Sequence, residues 1–261
     1  MEERRVRGKR SGQEPVWVKS ERKQPGKGLD LLDIVVAKPY TPAKDLYPEI
    51  PLFSSRKSGP KVRAVEQIVQ SLRRWSWLEV ELDRLCRFDR YTYVHSIHVA
   101  VLSLMMAEQL AYKRKDLRDL VLGALLHDVG KERIPLALLN RPGKLTLNEF
   151  ELVKEHPSLG EEILRLKPLS LSAYLVICQH HERWNGRGYP DGLHGTQIHP
   201  FAQIAAVADV YDALTTDRPY RKGLPGRVAY EMVVAGAGTD FSEEVVEAFQ
   251  EIVVLFSATG L

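Results

Sequence analysis

The sequence predicts an all-α domain behind a poorly ordered basic arm, on three observations. From residue 61 onward apolar side chains recur at i, i+3 and i+4. No segment shows the sustained alternation of a half-buried strand. Residues 1–58 are rich in Pro, Gly, Lys and Ser and have no long periodicity.

The elements follow in order. Within the arm, LDLLDIVVAK (29–38) is a short apolar run, and the four prolines of PYTPAKDLYPEIP (39–51) forbid a regular element. The helical domain is expected over 59–261. Val62, Val65, Ile68, Val69 and Leu72 mark an amphipathic helix, and a second covers about 76–87. Residues 93–111 are apolar on nearly every face, which predicts a helix central to the core. Leu117–Leu126 follows, with Gly130 and Pro135 as stop signals. Thr146 and Glu149 form a capping box that opens a helix to Lys154. Further helices are expected at 158–166, 170–181, 200–215, 225–236 and 242–256, with a Gly/Pro loop at 182–199.

Composition narrows the functional classes. No run of about 18 apolar residues exists to span a membrane. The charged start MEERRVRGKR does not read as a signal peptide, so a cytoplasmic protein is expected. Cys86 and Cys178 sit in apolar helical stretches and are expected as buried thiols. Net charge is +3, and residues 1–30 carry nine basic against five acidic side chains, so the remainder is near neutral. Nucleic acid is therefore not an expected partner, save through the arm, whose charges lack interleaved aromatics.

The chemistry lies in the histidines. Five of eight fall where a helix ends or faces the core beside carboxylates: His95, His127, His156, His180 and His181. His127-Asp128 closes the apolar helix LVLGALLHDVGK, where an ionised Asp opposes the helix dipole; a bound cation resolves the conflict. Asp209 and Asp212 stand three apart on the otherwise apolar IAAVADVYDAL. A lone histidine on an apolar helix is ordinarily a satisfied core residue, and a paired Asp is as readily a cap or a salt-bridge partner; the set is what carries weight. Inward histidines and carboxylates on facing helices build metal sites in bundles. Such a mixture without thiolate suits iron, manganese or zinc, and more than four ligands suggests two ions. Two ions about 3.5–4 Å apart are apparatus for attacking a phosphoester.

Five segments together resemble the HD-GYP family: YTYVHSIHVAVLS (91–103), HDVGKERIP (127–135), KEHPSLGEEIL (154–164), HHERWNGRGYPDGLHG (180–195) and ADVYDALTTDRPYR (208–221). The resemblance is strongest over 85–261. It implies a multi-helix HD-domain bundle with a long GYP loop. It also implies metal-dependent hydrolysis of a cyclic dinucleotide, cyclic di-GMP to linear pGpG, at two divalent ions, iron or manganese. Carried over by position, His95, His127, Asp128 and Asp209 would hold one ion. Asp128, His156, His180 and His181 would hold the other, with Asp128 bridging. Lys131, three residues past Asp128, would stabilise phosphate charge or protonate the leaving oxygen. Tyr189, Asn185, Arg218 and Arg221 are implied substrate contacts, and Glu182 would orient a histidine.

The sequence departs from the pattern at Tyr91, where some members have a third-metal Glu, and at His98, read as a core residue. Asn185 in place of Asp is a milder change. The rival expectations are a cyclic-dinucleotide-binding signalling module with little turnover and an HD phosphohydrolase acting on other nucleotides. Completeness of the ligand set favours an enzyme over the first, and the GYP loop argues against the second. A homodimer is left open.

Overall fold

The computed structural model describes residue 72 and residues 75–217 and 222–258. The basic arm, the stretch 61–71 and the implied contacts Arg218 and Arg221 lie outside the described residues. The described residues are helical, with isolated bridges Asn185–His194 and Ala237–Phe241 and no strand among them. The helices are α1 (Ser76–Phe88), α2 (Arg90–Gln109), α3 (Arg114–Leu126), α4 (Leu136–Leu139), α5 (Leu147–Val153), α6 (His156–Leu164), α7 (Leu171–Gln179), α8 (Pro200–Thr215), α9 (Gly226–Ala235) and α10 (Glu243–Ala258). Two 3-10 turns, Val129–Arg133 and Gly195–Gln197, interrupt the connections.

Helix α2 forms the middle of the bundle. It buries fourteen of its twenty residues, so every face meets a neighbour: α1, α3, α8 and α10 all pack on it. That is the behaviour its unbroken apolar sequence predicts. Its start is sharp because Asp89, in extended conformation, accepts from the amides of Tyr91 and Thr92 at 3.2 and 3.1 Å. A cap of this kind contributes about 1 kcal/mol. Leu102, Leu104, Leu120, Leu125, Ile177 and Phe249 are among the side chains of one continuous core. Truncating such a residue to Ala costs about 2–5 kcal/mol.

The second tier carries the site. Helix α7 packs on α3 and α8, and α6 packs on the turn Val129–Arg133. A Cβ on Gly130 would lie 1.9 Å from the His156 carbonyl oxygen, so the turn meets the start of α6 backbone to backbone and only glycine fits. The capping box of α5 is present: Glu149 N donates to the Thr146 hydroxyl at 3.3 Å, and Thr146 N donates to the Glu149 carboxylate at 2.8 Å.

The helical boundaries follow the apolar periodicity to within a few residues. One element lies outside the expectation: α4 is a single turn that begins beyond Pro135, because proline stops one helix but suits the start of the next. The cysteines also differ from expectation. Both thiols are free, but they are half-buried at the periphery, not enclosed. No described helix is long and apolar enough to cross a membrane.

Candidate metal centre

Five segments bring seven side chains together. His95 comes from α2, His127 and Asp128 from the end of α3, His156 from the start of α6, His180 and His181 from the end of α7, and Asp209 from α8. Asp128, His156, His180 and His181 each offer a ligand atom within 4.8 Å of the others, and so do His95, His127 and Asp128. Asp128 belongs to both groups. Asp209 also faces both, with Oδ1 3.0 Å from His95 Nε2 and Oδ2 3.8 Å from His181 Nδ1.

Each of four histidines has its Nδ1 engaged by an acceptor. His127 Nδ1 meets Ala124 O at 2.7 Å, His156 Nδ1 meets Val153 O at 2.8 Å, and His180 Nδ1 meets Ile177 O at 2.9 Å. His95 Nδ1 meets Asp212 Oδ2 at 2.6 Å. A carbonyl accepts only, so in His127, His156 and His180 Nδ1 carries the proton and Nε2 presents its lone pair inward, whereas His95 Nε2 faces Asp209 Oδ1 at 3.0 Å. The consequence is visible between α6 and α7, where His156 Nε2 and His180 Nε2 stand 3.2 Å apart. Two acceptor nitrogens at that distance repel unless a cation lies between or beside them. His127 Nε2 and Asp128 Oδ1 are likewise buried without a hydrogen-bond partner. Orphaned inward lone pairs of this kind, on nitrogen and carboxylate oxygen, fit a hard to borderline divalent metal.

The electrostatics agree. Burial drives His156 down to about 4 and His180 and His181 well below the ordinary histidine range, so all three are neutral, as ligation requires. Burial would raise Asp128, but His127, Lys131 and His156 outweigh it and hold the carboxyl well below the usual carboxylate range. Asp209 is held low in the same way, by His95 and His181 against burial. His95 goes the other way: burial lowers it, but its bonds to Asp209 and Asp212 carry it up to about 9.

A cavity of about 500 Å³ opens onto the cluster, lined among others by Tyr91, His95, Lys131, Arg141, Arg183 and Tyr189. Lys131 Nζ lies 2.5 Å from Asp128 Oδ2. The Tyr189 ring stacks on His181, with centroids 4.6 Å apart and planes at 25°. Tyr91 lies parallel to His95 at 6.1 Å.

One expectation is corrected. Glu182 orients no histidine: its carboxylate accepts from the amides of Asp191 and Leu193 at 2.7 and 3.0 Å, so it cinches the base of the GYP loop. Helix α7 ends at Gln179, so Glu182 lies beyond it and its carboxylate reaches the amides of the loop that follows. Asn185 Oδ1 accepts from Arg187 N at 2.9 Å, and the Asn185 main-chain N donates to Thr239 O at 2.8 Å, tying the loop to the turn before α10. His98 is buried as expected, but in polar company: its Nδ1 meets Asp212 Oδ1 at 2.9 Å. Asp212 thus holds two histidines from behind, a role that only its i+3 spacing from Asp209 could have suggested. Sequence reasoning also missed Arg141 and Arg183 on the cavity wall. Arg141 pairs with Glu149, while Arg183 donates to the Glu182 carbonyl at 3.0 Å and lies over the Phe241 ring.

Comparison with known proteins gives the same picture. Residues 66–245 match the HD domain family. A cyclic di-GMP phosphodiesterase of Pseudomonas aeruginosa is 41% identical over 199 residues, 76% of this chain and 48% of that protein. A cyclic di-GMP phosphodiesterase of Thermotoga maritima is 38% identical over 167 residues, 63% of this chain and 45% of that protein. The chain therefore spans about half the length of these curated relatives. Among solved structures, an HDG"Y"P protein from Bdellovibrio bacteriovorus superposes with a TM-score of 0.56 at 21% identity, covering 81% of this chain and 79% of that one, a likeness of fold. With the match running through every helix that supplies a ligand-type side chain, this chain belongs to the HD domain family, as an HD-GYP-type member of it.

Proposed function

We propose that the chain is a metal-dependent phosphodiesterase that opens a cyclic dinucleotide, cyclic di-GMP to linear pGpG, with two divalent ions of iron or manganese. The observation that carries this is the inward set of unprotonated ring nitrogens, above all His156 Nε2 and His180 Nε2 at 3.2 Å, around a carboxylate common to both clusters. When bound, divalent ions neutralise phosphate charge and ease deprotonation of water near neutral pH. In this proposal His95, His127, Asp128 and Asp209 hold one ion, and Asp128, His156, His180 and His181 the other.

The chain's own groups do the rest. Lys131 is partly exposed at the cavity, where its ammonium can meet a phosphate oxygen or give a proton to the leaving oxygen. Burial pushes the Tyr189 phenol up, so it stays neutral and serves as a flat wall against a base or sugar. Arg218 and Arg221 are proposed for substrate phosphate or guanine. A Vibrio cholerae relative named 3'3'-cGAMP-specific phosphodiesterase 3 reaches the same 41% identity, over 136 residues, as the Pseudomonas aeruginosa cyclic di-GMP phosphodiesterase does over 199. The test must therefore offer both substrates. Purified protein is analysed for metal per chain and incubated with cyclic di-GMP and 3'3'-cGAMP, with products separated by chromatography. Linear pGpG is expected; binding of either nucleotide without turnover by metal-replete protein would overturn the enzymatic reading.

A further inference from the structure

Glu132 follows Lys131 in the turn Val129–Arg133, on the side away from the cavity. Its side chain is only 7% exposed, and its Oε2 pairs with the guanidinium of Arg84 on α1. Its other oxygen, Oε1, is buried with no hydrogen-bond partner. Arg84 also holds Glu81, at 3.2 Å, and the nearly buried Glu81 takes Lys167 Nζ at 2.8 Å, just beyond α6. One network of two buried carboxylates and two partly exposed cations thus clamps α1 onto two things: the turn that carries Asp128 and Lys131, and the far end of the helix that begins with His156.

Such a network is a poor way to gain stability. A buried carboxylate with one oxygen unsatisfied costs free energy that an apolar side chain of similar size would not. Position is the better explanation. On its inner side the turn already touches α6 backbone to backbone at Gly130 and cannot approach further. Its outer side faces α1, and Arg84 is the group that grips it there. We infer that the Arg84–Glu132 ion pair is a positioning device for catalysis, acting through Lys131 and Asp128 by fixing the turn between α1 and α6. This rests on the proposed phosphodiesterase function.

The test uses the full chain loaded with Mn²⁺. Turnover is measured on cyclic di-GMP and on bis(p-nitrophenyl) phosphate, an activated diester that reports the centre whatever the natural substrate. Glu132→Leu is expected to lower kcat on the order of 10-fold to 100-fold, as a small misplacement of reacting groups does. KM, Mn²⁺ per chain and the melting temperature are expected to hold or, for melting, to rise. Exchanging the pair, Arg84→Glu with Glu132→Arg, is expected to restore most of kcat. If Glu132→Leu does not fold, Arg84→Gln carries the same expectation at a more exposed position. Wild-type kcat in the folded single variant, or no recovery in the exchanged pair, overturns the inference. A wild type that cleaves only the nitrophenyl diester overturns the cyclic dinucleotide proposal and leaves the pair measurable; one that cleaves neither overturns both.

Discussion

Behind His95 stands a carboxylate; behind His127, His156 and His180 stand main-chain carbonyls. The second arrangement is local. Each of those three histidines bonds the carbonyl three residues before it, in the last turn of α3, α5 or α7. The last carbonyls of a helix have no intrahelical partner, so a histidine just past the end satisfies one and fixes its own tautomer in the same stroke. His95 has no such opportunity. It lies inside α2, where the carbonyls are already taken, and its orienting group must come from α8, 117 residues away. One half of the cluster is therefore built from helix ends and the other from a contact between helices. In the first, burial keeps His156 and His180 neutral; in the second, two carboxylates drive the His95 ring toward protonation.

Asp128 joins the halves, and its loss has the largest expected effect. Asp128→Ala is expected to reduce turnover to background and to lower metal content in both halves, measured by product chromatography and elemental analysis of the same sample. Retained activity and metal would mean that the halves do not share a ligand.

Asp212→Asn strikes the tertiary half alone. Removing the charge behind His95 is expected to weaken activity or metal affinity on the order of 10-fold to 100-fold, the usual cost of losing a ligand's orienting partner. No single side chain can be removed to do the same to His127, His156 or His180. If Asp212→Asn matches wild type in a metal titration, the carboxylate behind His95 is dispensable.

The halves should also part with pH once metal is stripped. His156 sits depressed at about 4 against an ordinary 6.5, and burial holds His180 and His181 well below the ordinary range too, so below 6.5 the unfolded chain takes up protons that the folded chain refuses. Stability is lost as pH falls from about 6.5 toward 4. His95 is raised to about 9, so its contribution is full below 6.5 and is lost as pH rises through 9. Melting of the chelator-treated protein should fall on both flanks, more steeply on the acid side where three histidines act together. A flat profile across the alkaline flank would show that Asp212 and Asp209 do not hold a proton on His95.

The smallest expected effect concerns Tyr91, parallel to His95 at the cavity wall. With no carboxylate there, two ions per chain and slow or absent conversion of pGpG to GMP are expected. Tyr91→Glu is expected to add a modest gain in GMP. A time course of products with metal counted checks it, and rapid GMP from the wild type would show that Tyr91 does not limit the centre.

The helices and most of the cluster were legible in the chain because their causes are local. Apolar periodicity marks a buried face, Thr146 and Glu149 announce a capped start, and a His-Asp or His-His doublet at a helix end advertises an unsatisfied terminus. The one misreading and the omissions have the opposite cause. Glu182, expected to serve a histidine, instead holds the amides of its own loop. Asp212 had only its spacing from Asp209 to suggest a role, and Arg84 had no motif to give it away. Hydrogen bonds between residues far apart in the chain follow from how helices come to rest against one another, and no short pattern records that. So the amino-acid sequence by itself determined the helical bundle, the family and the residues able to hold metal. Only the tertiary structure decided which carboxylate stands behind His95 and which arginine grips the turn of Asp128, because burial leaves each polar group to bind whatever acceptor or donor the packing delivers.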